Sequence, residues 1–248
     1  ILGAKDPSDV FLPILIATYV ATLVALVSVA IRQRINLLDR VIVGWVGGIT
    51  AAIGGMVWYL VNFMSRTEIE LFSKVASNLV LAGIIAAFLI GALRKKVNVF
   101  DAFIDGAKGG IQTSLTIIPY LVGMLVAISV LRNSGVLSFV VSGFTWTFSQ
   151  LGWNTDFTPA LPTALMKPVS GSGARAMMLD AMQTYGADSF VGRLACVLQG
   201  ATDTTFYIIA LYFGSVGIKR ARYAIGYGLL ADLAGVVASV WVAYLFFH

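Results

Sequence analysis

Between Pro159 and Thr205, a mostly apolar region of membrane length is interrupted twice, by PALPTALMKPVSGSGARA (Pro159 to Ala176) and by QGATDTT (Gln199 to Thr205). Proline, glycine and serine free backbone N–H and C=O groups that hydrocarbon cannot satisfy. Such breaks survive only where protein or a water-filled cavity surrounds them. Broken membrane helices of this kind build solute sites near the bilayer midplane in many transporters.

The rest of the chain supplies the bilayer context. Apolar residues make up 58% of the 248 residues and charged residues only 12%, against roughly 25% charged in soluble domains, and the mean hydropathy is +0.88. Apolar runs over Val10 to Ile31, Val41 to Met64, Val75 to Leu93, Ile111 to Leu131 and Tyr223 to Phe247 approach or exceed the roughly 20 residues that span hydrocarbon. DPSD (Asp6 to Asp9) suits a helix start before the first run. The second carries Gly44 and Gly48 at GxxxG spacing, with Gly54 and Gly55, and invites a close helix neighbour. Asn98 to Gly110 places Val99, Phe100, Phe103, Ile104 and Ala107 on one face and Asp101, Asp105 and Lys108 opposite, the pattern of a helix lying in the interface. Ser134 to Leu151 is a short span or a re-entrant piece. Ser172 or Gly173 is expected to cap a helix over Ala174 to Tyr185 that Gly186 closes, and Ser189 to cap the next. The fold class is therefore all-α, a polytopic helical membrane protein with discontinuous or re-entrant helices.

A net charge of +5 does not point to nucleic acid, because the cations cluster at helix ends. Ten of the seventeen basic residues lie in three groups: Arg32, Arg34 and Arg40; Arg94, Lys95, Lys96 and Lys108; and Lys219, Arg220 and Arg222. These loops are expected to face the cytoplasm, with the Arg66 to Lys74 loop and Arg132 outside. Between Arg132 and Lys219 the number of crossings must be odd, so either all three candidate segments cross or two re-enter. The single Cys196 and single His248 exclude an internal disulfide and a Cys/His metal set. No cofactor, metal or catalytic residue is expected. The chain starts at Ile1 without a signal-peptide pattern, and an upstream segment is expected.

The chemistry concentrates at the breaks. In PVSGSGARA a helix restarts with free N–H groups and its positive dipole end facing the break, which suits an anion or polar oxygen. The competing reading is a turn that satisfies its own backbone. Ser170, Gly171, Ser172 and Gly173 form the candidate cradle, flanked by Lys167 and Arg175. Each of these two cations either faces solute or snorkels to the interface, and Asp180 is a candidate partner for Arg175. In QGATDTT, Gln199, Thr202, Asp203, Thr204 and Thr205 fall within two turns. Asp203 is the candidate carrier of a proton or cation, against an interhelical hydrogen-bond cluster. Asp232, within GLLADLAG, is a partner for Lys167 or Arg175 or a second relay carboxylate. Asp156 and Asp188 are assigned to solvated turns. Gly171, Gly173 and Ala176 match G-x-G-x-x-A without any βαβ context, and no internal histidine supports serine hydrolysis at Ser170 or Ser172.

KPVSGSGARAMMLDAM (Lys167 to Met182), the stretch from Asp188 to Gly226, GLLADLAGVVAS (Gly228 to Ser239) and Arg94 to Gly135 resemble the spore maturation protein B family. The resemblance runs from about Val75 to the end. Asp6 to Ile31 instead looks like the closing helix of spore maturation protein A. The resemblance thus implies a fused chain, with residues 1–40 as the last A-like helix and a cytoplasmic linker, and 41–248 as a B-like nucleoside-recognition (Gate) domain. That group resembles the membrane cores of concentrative nucleoside transporters and of ferrous-iron transporter B. It implies a solute gate in a bacterial cytoplasmic membrane, without naming a substrate.

The expected function is transport of a small polar or anionic solute through broken helices, coupled to a proton or Na⁺. Lys167, Ser170, Gly171, Ser172, Gly173, Arg175, Gln199, Thr202 and Thr204 would bind solute, and Asp203 and Asp232 would couple the ion. The alternative is a non-transporting scaffold in envelope or spore-cortex maturation. Expected partners are the bilayer, the solute, the A-like half of the same chain and, as a candidate, a second copy.

Overall fold

The computed structural model describes residues 9–215 and 217–248. The expected helix start at Asp6, Pro7 and Ser8 lies outside the described residues, as do the side chains of Arg66 and Arg132 that bear on orientation. Ten α-helices carry the described chain: α1 Phe11–Gln33, α2 Arg40–Phe63, α3 Arg66–Arg94, α4 Val99–Asn133, α5 Val136–Gln150, α6 Leu161–Met166, α7 Gly171–Tyr185, α8 Phe190–Ala201, α9 Thr205–Ser215 and α10 Ala224–Phe247. No strand occurs among the described residues. Helices α1, α2, α3 and α10 each contain a stretch long and apolar enough to cross a membrane. The molecule is an all-α, multi-pass membrane protein.

Packing is tightest where side chains are smallest. Helix α1 runs along α10 and α8, and Ala17, Val197, Ala201 and Ala238 are buried at their junction. In lipid, helix association rests on close van der Waals contact rather than on escape from water, so alanine and glycine faces win. A second cluster joins Leu12 and Ile16 of α1 to Leu60 of α2, Ile69 of α3, and Val242 and Phe246 of α10. The Tyr19 hydroxyl adds a polar tie by donating to the Val46 carbonyl at 3.2 Å. At the start of α1, the Asp9 carboxylate meets the Arg193 guanidinium of α8 at 3.1 Å, and that guanidinium also stacks over Phe247, 5.1 Å from the ring centre.

Helices α2 to α5 are different. Trp45, Phe88, Phe100, Leu115 and Phe139 are all exposed, the composition of a surface meant for lipid. A Cβ added at Gly44 or Gly48 would meet nothing within 4 Å. The GxxxG face of α2 therefore receives no helix from the described residues, contrary to the expectation from its spacing.

A second difference concerns Asn98 to Leu131, read from sequence as an interfacial helix followed by a span. The structure makes one helix, α4, of 35 residues, about 50 Å long at 1.5 Å per residue. Gly109 and Gly110 do not divide it. A glycine inside a helix costs only about 1 kcal/mol relative to alanine, too little to break a helix with ordered turns on both sides.

The segments that carry the breaks are short. Pro159 lies in the first turn of a 3₁₀ helix over Thr158–Ala160 and Pro162 in the first turn of α6, positions where the missing N–H costs nothing. Helix α7 begins at the first break and ends at Gly186, whose φ of +98° suits glycine alone. Ser189 then caps α8 by accepting from the Gly192 N–H at 3.0 Å, as expected. Helices α7 and α8 thus form a tight antiparallel hairpin, its interior filled by Ala181, Leu194, Ala195 and Leu198. Away from this region, His248 approaches Asp156 at 3.1 Å and holds that exposed carboxyl below its ordinary range.

Candidate functional site

Four helix ends meet at the open end of the hairpin. Helix α6 stops at Met166, α7 starts at Gly171, α8 stops at Ala201 and α9 starts at Thr205. Helix ends leave backbone groups without intrahelical partners, and here the two breaks satisfy each other. The Phe206 N–H, in the first turn of α9, donates to the Pro168 carbonyl at 3.1 Å. The Lys167 ammonium donates to the Gln199 carbonyl, in the last turn of α8, at 2.6 Å. The Gln199 side-chain amide donates to the Gly171 carbonyl at 3.3 Å. Gly171 lies so close to the second break that a Cβ there would stand 2.8 Å from the Thr204 hydroxyl.

Each candidate from the sequence has a definite place. Ser170, not Ser172 or Gly173, is the N-cap of α7; its hydroxyl accepts from the Gly173 N–H at 3.1 Å. The cap moves back because Ser170 holds extended backbone (φ −150°, ψ 114°) while Gly171 is already helical. The Ser172 hydroxyl is 3.2 Å from that of Ser170. Lys167 is buried at 8% exposure and is turned to the end of α8, where a cation complements the negative pole of the helix. Arg175, a turn into α7, is exposed. Asp203 is also exposed, and its carboxylate accepts from the Thr204 N–H at 2.8 Å. Asp203, Arg175 and Asp232 are all close enough for Lys167 to feel their charge. The Gln199 Oε1 atom is buried without a hydrogen-bond partner among the described residues.

Helix α10 closes the far side. Asp232 is buried at 7% exposure, and its Oδ2 accepts from the Thr205 hydroxyl at 2.6 Å. The immediate partner of this carboxylate is therefore a threonine of the second break, with Lys167 further off. Added Cβ atoms at Gly228 and Gly235 would collide with the methyl groups of Thr205 and Thr202 respectively. On the opposite flank of Asp232, α5, α6 and α10 enclose an apolar groove of about 430 Å³ that includes Phe144, Phe148, Trp153 and Phe157. Among the described residues, Asp232 is the one charged residue in its wall.

Residues 114–219 match the Gate family, described as nucleoside recognition. Over 164 residues the chain is 49% identical to spore maturation protein B of Bacillus subtilis (strain 168), covering 66% of this chain and 90% of that protein. The chain belongs to the spore maturation protein B family. No solved structure matches it.

In this family member the Gate match contains both breaks, whereas Asp232, Gly228 and Gly235 lie beyond it. Thr205 is the residue that sequence reasoning undervalued: it stood inside QGATDTT, yet nothing in the motif separated it from Thr202 and Thr204. The readable signal was on α10, where Gly228, Asp232, Gly235 and Ser239 recur at helical spacing on one face. A small-residue face with one carboxylate forecasts a close polar contact. Among the described residues no group of three or more His, Cys, Asp or Glu could hold a metal.

Proposed function

We propose that this protein transports a small polar or anionic solute across the bacterial cytoplasmic membrane, performing no covalent chemistry, through a gate formed where its two helix breaks meet. The observation that carries this reading is the pairing of the breaks through Lys167–Gln199 and Phe206–Pro168. A structural kink needs one break; two discontinuous helices placed break to break create a polar centre inside an apolar body. The site offers the N-terminal end of α7, the hydroxyls of Ser170, Ser172, Thr202 and Thr204, and the open acceptor of Gln199. A buried acceptor left unmade costs about 1–3 kcal/mol, which a bound solute, water or cation would offset.

Arg175 and Asp203 reach outward from this centre and so are assigned to the solute and to the coupling ion, a proton or Na⁺. Asp232, tied to Thr205 at the base of the second break, is assigned to transmit the charge state of the site to α10. An A-like half and a second copy of the chain remain proposed partners, and the domain division at residue 40 is proposed with them.

The test is uptake into proteoliposomes, screened first with the wild-type chain over a panel of anionic and polar metabolites. For a solute that the wild type moves, Asp203→Asn and Arg175→Ala are each expected to lower uptake about tenfold, the equivalent of roughly 1.4 kcal/mol. Unchanged uptake in both variants, inserted to the same level, would sink the assignment.

A further inference from the structure

A second cavity, distinct from the gate, opens between the end of α1 and the connection from α9 to α10. It measures about 870 Å³, and its wall includes Gln33, Lys219, Arg220, Arg222, Tyr223 and Tyr227. Among the described residues no acidic residue lines it, and neither Lys219, Arg220 nor Arg222 forms an ion pair. Arg32 stands at its edge, with its guanidinium 5.6 Å from the centre of the Tyr223 ring. The Gln33 amide fixes the same tyrosine by donating to its hydroxyl at 3.2 Å.

The dull explanation for cations here is that they cap the end of α1. The backbone already does that work: the Arg34 N–H bonds the Ile31 carbonyl at 3.3 Å and the Ile35 N–H bonds the Ala30 carbonyl at 2.9 Å. Three cations therefore share one concave wall and meet no counter-charge from the described residues. Two are arginines, whose planar fork matches the oxygens of a phosphate. Their place next to the ends of membrane helices is where basic pockets take anionic headgroups.

We propose that this cavity binds a phosphate group, supplied either by an anionic phospholipid or by a soluble phosphate, with Arg220 and Arg222 as its principal ligands. Its wall includes Gly228, the residue packed on Thr205, so an occupant touching that glycine would sit one contact from the Asp232–Thr205 pair. The inference stands apart from the transport reading and holds whether or not the gate moves a solute.

The experiment uses the full chain in neutral detergent. Native mass spectrometry reads binding of phosphatidylglycerol against phosphatidylcholine, and calorimetry reads binding of inorganic phosphate. Preferential retention of phosphatidylglycerol identifies the lipid as the source, and phosphate binding identifies the soluble one. In either arm, Arg220→Gln with Arg222→Gln is expected to weaken binding about tenfold, whereas Lys95→Gln with Lys96→Gln, an equal loss of charge in another loop, leaves it unchanged. Should the arginine pair fail to fold, judged by its ligand-free melting profile, Lys219→Gln alone is expected to weaken binding in the same assay. Absence of binding by the wild type in both arms, or equal loss in the two charge-matched pairs, overturns the proposal.

Discussion

Lys167 illustrates how one side chain settles a helix end inside a membrane protein. Its ammonium is buried and bonded to the Gln199 carbonyl at 2.6 Å, so it complements the terminal carbonyls of α8 and at the same time lies within electrostatic reach of Asp203 and Asp232. A hydrogen bond to a charged group contributes about 1.5–3 kcal/mol. Lys167→Met keeps the length and apolar stem but removes the donor. It is expected to destabilise the folded protein by about 2 kcal/mol, read as a lower midpoint in denaturant titration in mixed micelles. An unshifted midpoint would show that the contact is dispensable. From sequence, Lys167 stood equally as a solute ligand or a snorkelling cation. Neither alternative included capping a helix 32 residues away, because an interaction between two breaks has no signature within either one.

At the scale of elements, the hairpin of α7 and α8 is held by two serine caps with different neighbours. Ser170 caps α7 at the meeting point of the breaks, and Ser189 caps α8 at the far tip. Loss of such a cap costs about 1 kcal/mol, so Ser170→Ala and Ser189→Ala are expected to lower stability by similar amounts. Only Ser170→Ala is expected to reduce uptake as well, because it removes a hydroxyl that the site offers to the solute and releases the start of α7 that this hydroxyl holds. Equal uptake by the two variants would detach the start of α7 from function. The tip was legible in advance, since Ser189 and Gly186 act locally through a cap and a positive φ. The start of α7 was placed three residues late, because Ser170, Gly171, Ser172 and Gly173 all suit a cap and only the fold selects among them. The division of α4 was misread for a related reason: a change of hydrophobic face at Gly109 and Gly110 marks a change of environment, and the backbone helix runs through it.

For the whole molecule, the account divides a packed polar centre from a loose apolar periphery. Helices α1, α6, α7, α8 and α10 enclose the breaks with small residues, while α2 to α5 expose large apolar side chains. Apolar length and basic clusters announced the membrane class from the sequence alone, and family resemblance located the same two motifs. What sequence spacing could not supply was their meeting in space. The most direct measurement is therefore a proximity assay in native membranes. With Cys196 replaced by alanine, Val169→Cys and Phe206→Cys place thiols beside the Pro168–Phe206 hydrogen bond, whose geometry brings the two chain segments within about 7 Å. A short bis-methanethiosulfonate reagent is predicted to bridge this pair in most molecules and to leave a Val169→Cys/Tyr212→Cys pair, two turns along α9, largely unbridged. Failure to bridge residues 169 and 206, with both thiols open to a maleimide, would contradict the claim that the two breaks form one site.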